Sequence, residues 1–212
     1  MHNTTKAMQE IYFPFEKIRP IQAELMSDVL STISGRKALI AHAPTGLGKT
    51  AATLGPAVTA ALKEGLNVFF LTPKHTQHQI AVETLQKLKE RHNLKFNVAD
   101  LIGKKWLCSQ SAVETLDSKE FYNFCHDLVA GEQCPFYNNV WGKGSNKMMG
   151  KASFALNDIK SGKILHAEEL KRQYDDEFCI YELATLLAKD STVVIADYYH
   201  LFHPSVRTAF LG

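Results

Sequence analysis

The stretch Ala43-Pro44-Thr45-Gly46-Leu47-Gly48-Lys49-Thr50 has the residue types of a phosphate-binding loop. Gly46 and Gly48 let backbone N–H groups turn inward around a polyphosphate with no Cβ in the way. Lys49 can reach the β- and γ-phosphates, the Thr50 hydroxyl can ligate Mg²⁺, and a helix starting there favours the anion. Lys49 and Thr50 are therefore the candidate catalytic residues, and Pro44 to Thr50 the candidate nucleotide-binding set. Ala43 stands where the general pattern has its first glycine.

Four cysteines form a second candidate set. Cys108, Cys125, Cys134 and Cys179 have 16, 8 and 44 residues between them, and no C-x-x-C pair occurs. Structural zinc sites usually build on such short knuckles. Four isolated thiols suit a [4Fe–4S] cluster, which takes Cys₄ ligation without one fixed spacing. Small buried hydrophobes are the third possibility. Spacing alone leaves cluster, zinc and burial open.

The loop needs a strand before it and a helix after it, and the sequence predicts both. Ala38-Leu39-Ile40-Ala41 is an apolar run fit for a buried strand. A helix follows from Lys49 to Glu64, ended by Gly65 and kinked at Pro56. Upstream, Ile18, Ile21, Leu25, Met26, Val29, Leu30 and Ile33 recur at helical spacing, with Pro20 in the first turn and Gly35 at the end. Downstream come a strand at Val68–Leu71, a helix from about Thr76 to Arg91, and a strand near Phe96 to Leu101. This alternation predicts an α/β fold with a doubly wound parallel sheet. From Lys104 to about Phe178 the alternation stops, and all four cysteines but the last fall there. A helix at Tyr181–Lys189 and a strand at Thr192–Ala196 resume it. The expected organisation is 1–103, an insertion at 104–180, and a return at 181–212.

At 212 residues and 45% hydrophobic content the chain can build a sizeable core. A net charge of +2 does not by itself imply nucleic acid. Four cysteines are too few for a disulfide scaffold of this length. Met1 to Lys6 lacks the apolar core of a signal peptide, and no apolar run approaches the ~18 residues of a membrane span. A cytoplasmic protein with reduced thiols and no membrane partner is expected. Two windows are locally basic: Lys87 to Lys105 holds six Lys or Arg against two acids, and Lys143 to Gln173 seven against three. Trp106, Tyr137, Trp141 and Tyr181 lie in or near them, as stacking on single strands requires, although core packing explains aromatics equally well.

The combination of these features resembles the XPD-like iron–sulfur helicases of superfamily 2, in their archaeal form, and does so essentially end to end. The resemblance rests on the loop, Thr72-Pro73-Lys74-His75-Thr76, the four-cysteine insertion, and Ile195-Ala196-Asp197-Tyr198-Tyr199-His200-Leu201-Phe202. It implies a RecA-like helicase domain 1 with an inserted, mainly helical cluster domain. It implies ATP with Mg²⁺, a 4Fe-4S cluster on the four cysteines, and 5′-to-3′ translocation on single-stranded or forked DNA. Tyr12-Phe13-Pro14-Phe15 with Arg19-Pro20-Ile21-Gln22 resembles the family's N-terminal element, whose glutamine reads adenine, so Gln22 joins the nucleotide-binding set. His75 and Thr76 match a DNA-contacting segment, Lys104 and Lys105 precede the first cluster cysteine, and Tyr181 matches an aromatic beside the strand's path. Two departures stand out: His75 replaces an arginine, and Ile180 a proline, common in relatives. The family's Asp-Glu-x-His segment and second RecA-like domain do not appear before Gly212, so a missing C-terminal helicase domain is expected, and with it an isolated chain incapable of unwinding. The competing expectation is a non-catalytic zinc- or cluster-bearing module that holds nucleic acid.

Overall fold

The computed structural model describes residues 11–211 and divides the chain into two compact units. The first runs to Val98 and takes in Ser191–Ile195; the second is Ala99–Asp190 with the stretch from Ala196 onward.

In the first unit, α1 (Pro20–Ser34) starts at a proline that needs no N–H partner in a first helical turn. It packs on α2 (Lys49–Glu64), whose buried face is unusually small-residued: Ala51, Ala52, Gly55, Pro56, Ala60 and Ala61. Small side chains let Met26 of α1 and Phe13 approach closely, and Ile11, Phe13, Met26, Ala51 and Ala52 form one apolar cluster. α2 continues through Pro56 as a single helix and ends at Gly65, held at φ +67°. β1 (Val68–Leu71) leads into α3 (His75–Arg91), and β2 (Val98–Leu101) follows. β3 (Val193–Ala196) is buried throughout, as a strand packed on both faces must be. The sheet order is β1-β3-β2, with Val68 N–H donating to Thr192 O and Thr192 N–H to Asn97 O.

One expected strand does not form. Residues 37–44 have no regular structure, and Ile40 is 98% exposed. Strand geometry is completed by a hydrogen-bonded neighbour, and among the described residues the sheet pairs only β1, β3 and β2. The apolar run instead lines a groove, with Leu39 and Ala41 facing Val68 and Phe70 of β1.

The second unit is mainly helical. It contains α4 (Lys104–Leu107), a 3₁₀ turn (Ser111–Thr115), α5 (Ser118–Ala130), α6 (Pro135–Trp141), α7 (Gly150–Ser161), α8 (Ala167–Tyr174), α9 (Ile180–Lys189), α10 (Tyr198–Phe202) and α11 (Pro204–Leu211). α5 opens on a capping box: Asp117 Oδ1 accepts the N–H groups of Lys119 and Glu120 at 2.8 Å, and Glu120 returns a bond to Asp117 N. The buried Asp100 carboxylate accepts the Ala167 N–H at 2.8 Å and fixes the start of α8. Ile180, in the place of the relatives' proline, is fully buried in the first turn of α9. No helix among the described residues is long and apolar enough to cross a membrane.

Asp197 caps α10 through the His200 N–H, and its carboxylate also lies 2.9 Å from the buried His200 Nδ1. Burial raises its pKa, but the hydrogen bond and charge of His200 outweigh burial and leave it lowered. Asp197→Ala is expected to cost about 1 kcal/mol in chemical unfolding, the usual loss of a cap. With a lowered folded pKa, the carboxylate's contribution is present above its unfolded value of 3.8 and lost as pH falls through the folded one. The Asp197→Ala penalty should therefore shrink in acid.

Candidate functional site

The phosphate loop is shaped by α1 as much as by its own glycines. Gln22 is buried, its Oε1 accepts the Arg19 N–H at 2.9 Å, and its Nε2 donates to Leu47 O at 2.8 Å. The Arg19 guanidinium donates to Gly46 O at 3.2 Å. Gly46 and Gly48 both sit in the left-handed region, at φ +83° and +82°. At Gly48 a Cβ would also lie 2.6 Å from Gln22 Nε2, whereas nothing lies within 4 Å of one at Gly46. The Lys49 ammonium folds across the loop and donates to Ala43 O at 3.1 Å and Pro44 O at 3.0 Å. Thr50 occupies the first turn of α2, and Pro44, Thr45 and Lys49 are exposed. Two carbonyls holding an ammonium, beside the N-terminus of a 16-residue helix, can give that ammonium up to an anionic oxygen.

The four cysteines come from separate elements and line one small cavity. Cys108 follows α4, Cys125 lies within α5, and Cys134 and Cys179 are the N-caps of α6 and α9. The Cys179 N–H donates to Phe136 O at 3.0 Å and ties those two helix starts together. Burial pushes the Cys108, Cys125 and Cys179 thiols up, Cys179 to about 12, and neighbouring thiols push in the same direction. Among the described residues no three His, Cys, Asp or Glu are already gathered around one metal position.

Around the cavity stands a network that sequence reasoning missed in part. Lys104 Nζ is 3.4 Å from Glu182, which also accepts the Trp141 indole N–H at 3.0 Å. Burial pulls the Lys104 pKa down, but Glu182 and the Cys125 and Cys179 thiols raise it further than burial lowers it. Its ammonium also lies 5.2 Å from the centre of the half-buried Tyr181 ring. Lys105 Nζ donates to the Leu116 carbonyl. Both lysines of the expected DNA-contacting set are thus engaged within the fold. His75 and Thr76 are exposed at the start of α3, and Trp106 is 68% exposed, while Tyr137 lines the cysteine cavity. Glu182, Ser109 and Gln110 were recognisable only by adjacency: each stands one or two residues from a residue singled out on other grounds. Lys171, which donates to the carbonyls of Trp106 and Cys108 at 3.0 Å, shows in the sequence only as one charge of a basic window.

Gly46→Ala and Gly48→Ala separate backbone strain from the Gln22 contact. Each is expected to cost about 1 kcal/mol for a left-handed alanine, and Gly48→Ala about 1 kcal/mol or more beyond that as Gln22 is displaced. Thermal unfolding of the two variants checks the order.

A family model described as DEAD_2 matches residues 70–211, and one described as type III restriction enzyme, res subunit, matches residues 15–121. The "Probable ATP-dependent helicase MJ0942" of Methanocaldococcus jannaschii is 40% identical over 92 residues, which are 43% of this chain and 13% of that protein. The "General transcription and DNA repair factor IIH helicase subunit XPD" of Arabidopsis thaliana is 23% identical over 92% of this chain and 27% of its own length. The chain therefore spans about a quarter or less of these curated relatives. Among solved structures, "XPD_Helicase" matches 92% of this chain and 30% of its own with a TM-score of 0.60 at 18% identity. "Truncated XPD" matches 87% and 47% with a TM-score of 0.52 at 20% identity. Those two likenesses speak for an α/β helicase fold, and the family match over residues 70–211 goes further: the chain belongs to the DEAD_2 family of XPD-like superfamily 2 helicases.

Proposed function

We propose that this chain is the ATP-binding and iron–sulfur-binding part of a DNA helicase that travels 5′ to 3′ along a single strand. The observation that carries the reading is the braced phosphate loop, with Lys49 held over its carbonyls, in a member of this family. In this reading Lys49 would hold the β- and γ-phosphates of ATP, and the Thr50 hydroxyl would be a ligand of the accompanying Mg²⁺, which would offset phosphate charge. Gln22 retains one N–H and one lone pair beyond its two internal bonds, enough to favour an adenine edge. Closure of a second RecA-like domain on the nucleotide, and its reopening after hydrolysis, would convert turnover into steps along DNA. His75 and Thr76 offer exposed donors to a phosphate backbone, and Tyr181 and Trp106 offer aromatic faces to bases.

Cys108, Cys125, Cys134 and Cys179 are the proposed ligands of a [4Fe–4S] cluster. Four thiols lining one cavity support it, because the cluster takes four thiolates and little else. When bound, the cluster cross-links four separate stretches of chain and can carry one electron. Lys104 stands beside Cys125 and Cys179 as a positive group, held in place by Glu182. The expected inserted domain at 104–180 is the stretch these ligands would tie together. The same donor set suits a structural zinc, which is the second reading: a non-catalytic module holding nucleic acid.

Calorimetry should show Mg²⁺-dependent ATP binding that Lys49→Ala weakens at least tenfold, about 1.4 kcal/mol; equal binding by the variant would refute the loop assignment. Anaerobically purified protein should be coloured and contain iron and sulfide, and Cys134→Ser should bleach it. Colourless protein with one zinc would favour the second reading.

A further inference from the structure

Ser109 lies in the wall of the cysteine cavity, directly after Cys108. Its Oγ is fully buried and has no hydrogen-bond partner among the described residues. A buried hydroxyl left in that condition costs free energy, so its place needs a reason. The cavity wall around it is largely apolar, with Leu107, Phe121, Val129 and Phe136, and the plentiful acceptor there is sulfur. The next residue already makes such a contact: Gln110 Nε2 donates to Cys134 Sγ at 3.9 Å. The backbone carrying both donors is anchored, because Lys171 Nζ grips the carbonyls of Trp106 and Cys108 at 3.0 Å.

From this juxtaposition we infer that Ser109 and Gln110 are sulfur-directed donors that set the reduction potential of the bound cluster. The inference rests on the cluster reading above and assigns it two positioning residues. Reduction adds one electron to an already anionic centre and increases the negative charge on its sulfurs. Hydrogen bonds to those sulfurs stabilise the reduced form more than the oxidised one and raise the potential. The Ser109 O–H, with no competing protein acceptor, is free to turn toward Cys108 Sγ or an inorganic sulfide.

The test is a mediated redox titration of the anaerobically purified chain, following the visible band and the reduced-state EPR signal, with iron content measured in each sample. Ser109→Ala and Gln110→Ala should each shift the midpoint to more negative potential at unchanged iron content. The double variant should shift further, and Ser109→Thr, which keeps the hydroxyl, should return the midpoint toward wild type. A purely structural role would alter thermal stability and leave the potential in place. Unchanged potentials in loaded Ser109→Ala and Gln110→Ala would overturn the inference while leaving the cluster reading intact. If Ser109→Ala fails to load, Gln110→Ala decides alone. Wild-type protein without iron would instead overturn the cluster reading, and this inference with it.

Discussion

One buried amide governs what the first unit can offer a polyphosphate. Gln22 ties the turn before α1 to the turn before α2, taking an N–H from Arg19 with its oxygen and holding Leu47 O with its nitrogen. Gly48 lacks a side chain partly because that nitrogen occupies the space. The amide is immobile in turn because α1 and α2 interlock through Met26 against Ala51 and Ala52. The loop is therefore braced before any phosphate arrives, which reduces the ordering cost of binding. Gln22 thus has a structural task whether or not it also meets a base.

The second unit solves a different problem, that of bringing four cysteines from separate stretches of chain to one cavity. Three of the four stand at helix boundaries, where a short stretch of backbone sets each side chain's direction. Burial disfavours the charged forms of Cys108, Cys125 and Cys179, and neighbouring thiols push the same way. Lys104 is also part of this cavity's wall. Paired with Glu182 and set over Tyr181, it places positive charge beside Cys125 and Cys179.

Much of this is legible without coordinates, and the exceptions have physical causes. α2, β1, α3 and α9 carry strong periodicity or compact apolar runs, and each lies within a residue or so of its expected limits. The run Ala38–Ala41 has strand composition, but a strand exists only where a neighbour supplies the other half of its hydrogen bonds. α10 and α11 are too short to show a period, and α10 depends on the Asp197 cap. The charge surplus around Lys104 and Lys105 is real in the sequence. Counting charges cannot show that one ammonium meets a carboxylate and the other a carbonyl.

What the sequence alone determined is what local chemistry specifies: the glycines of the loop, the lysine and threonine that end it, and the flanking helix. Each depends on residues within a few positions of one another. Only the tertiary structure decided that the four cysteines share a cavity, that Lys171 grips the backbone of Cys108, and that the Ser109 hydroxyl is buried without a partner among the described residues. Those facts join residues up to 71 positions apart, from Cys108 to Cys179, and depend on how helices pack. Packing is set by the whole apolar core at once, which no window along the chain contains.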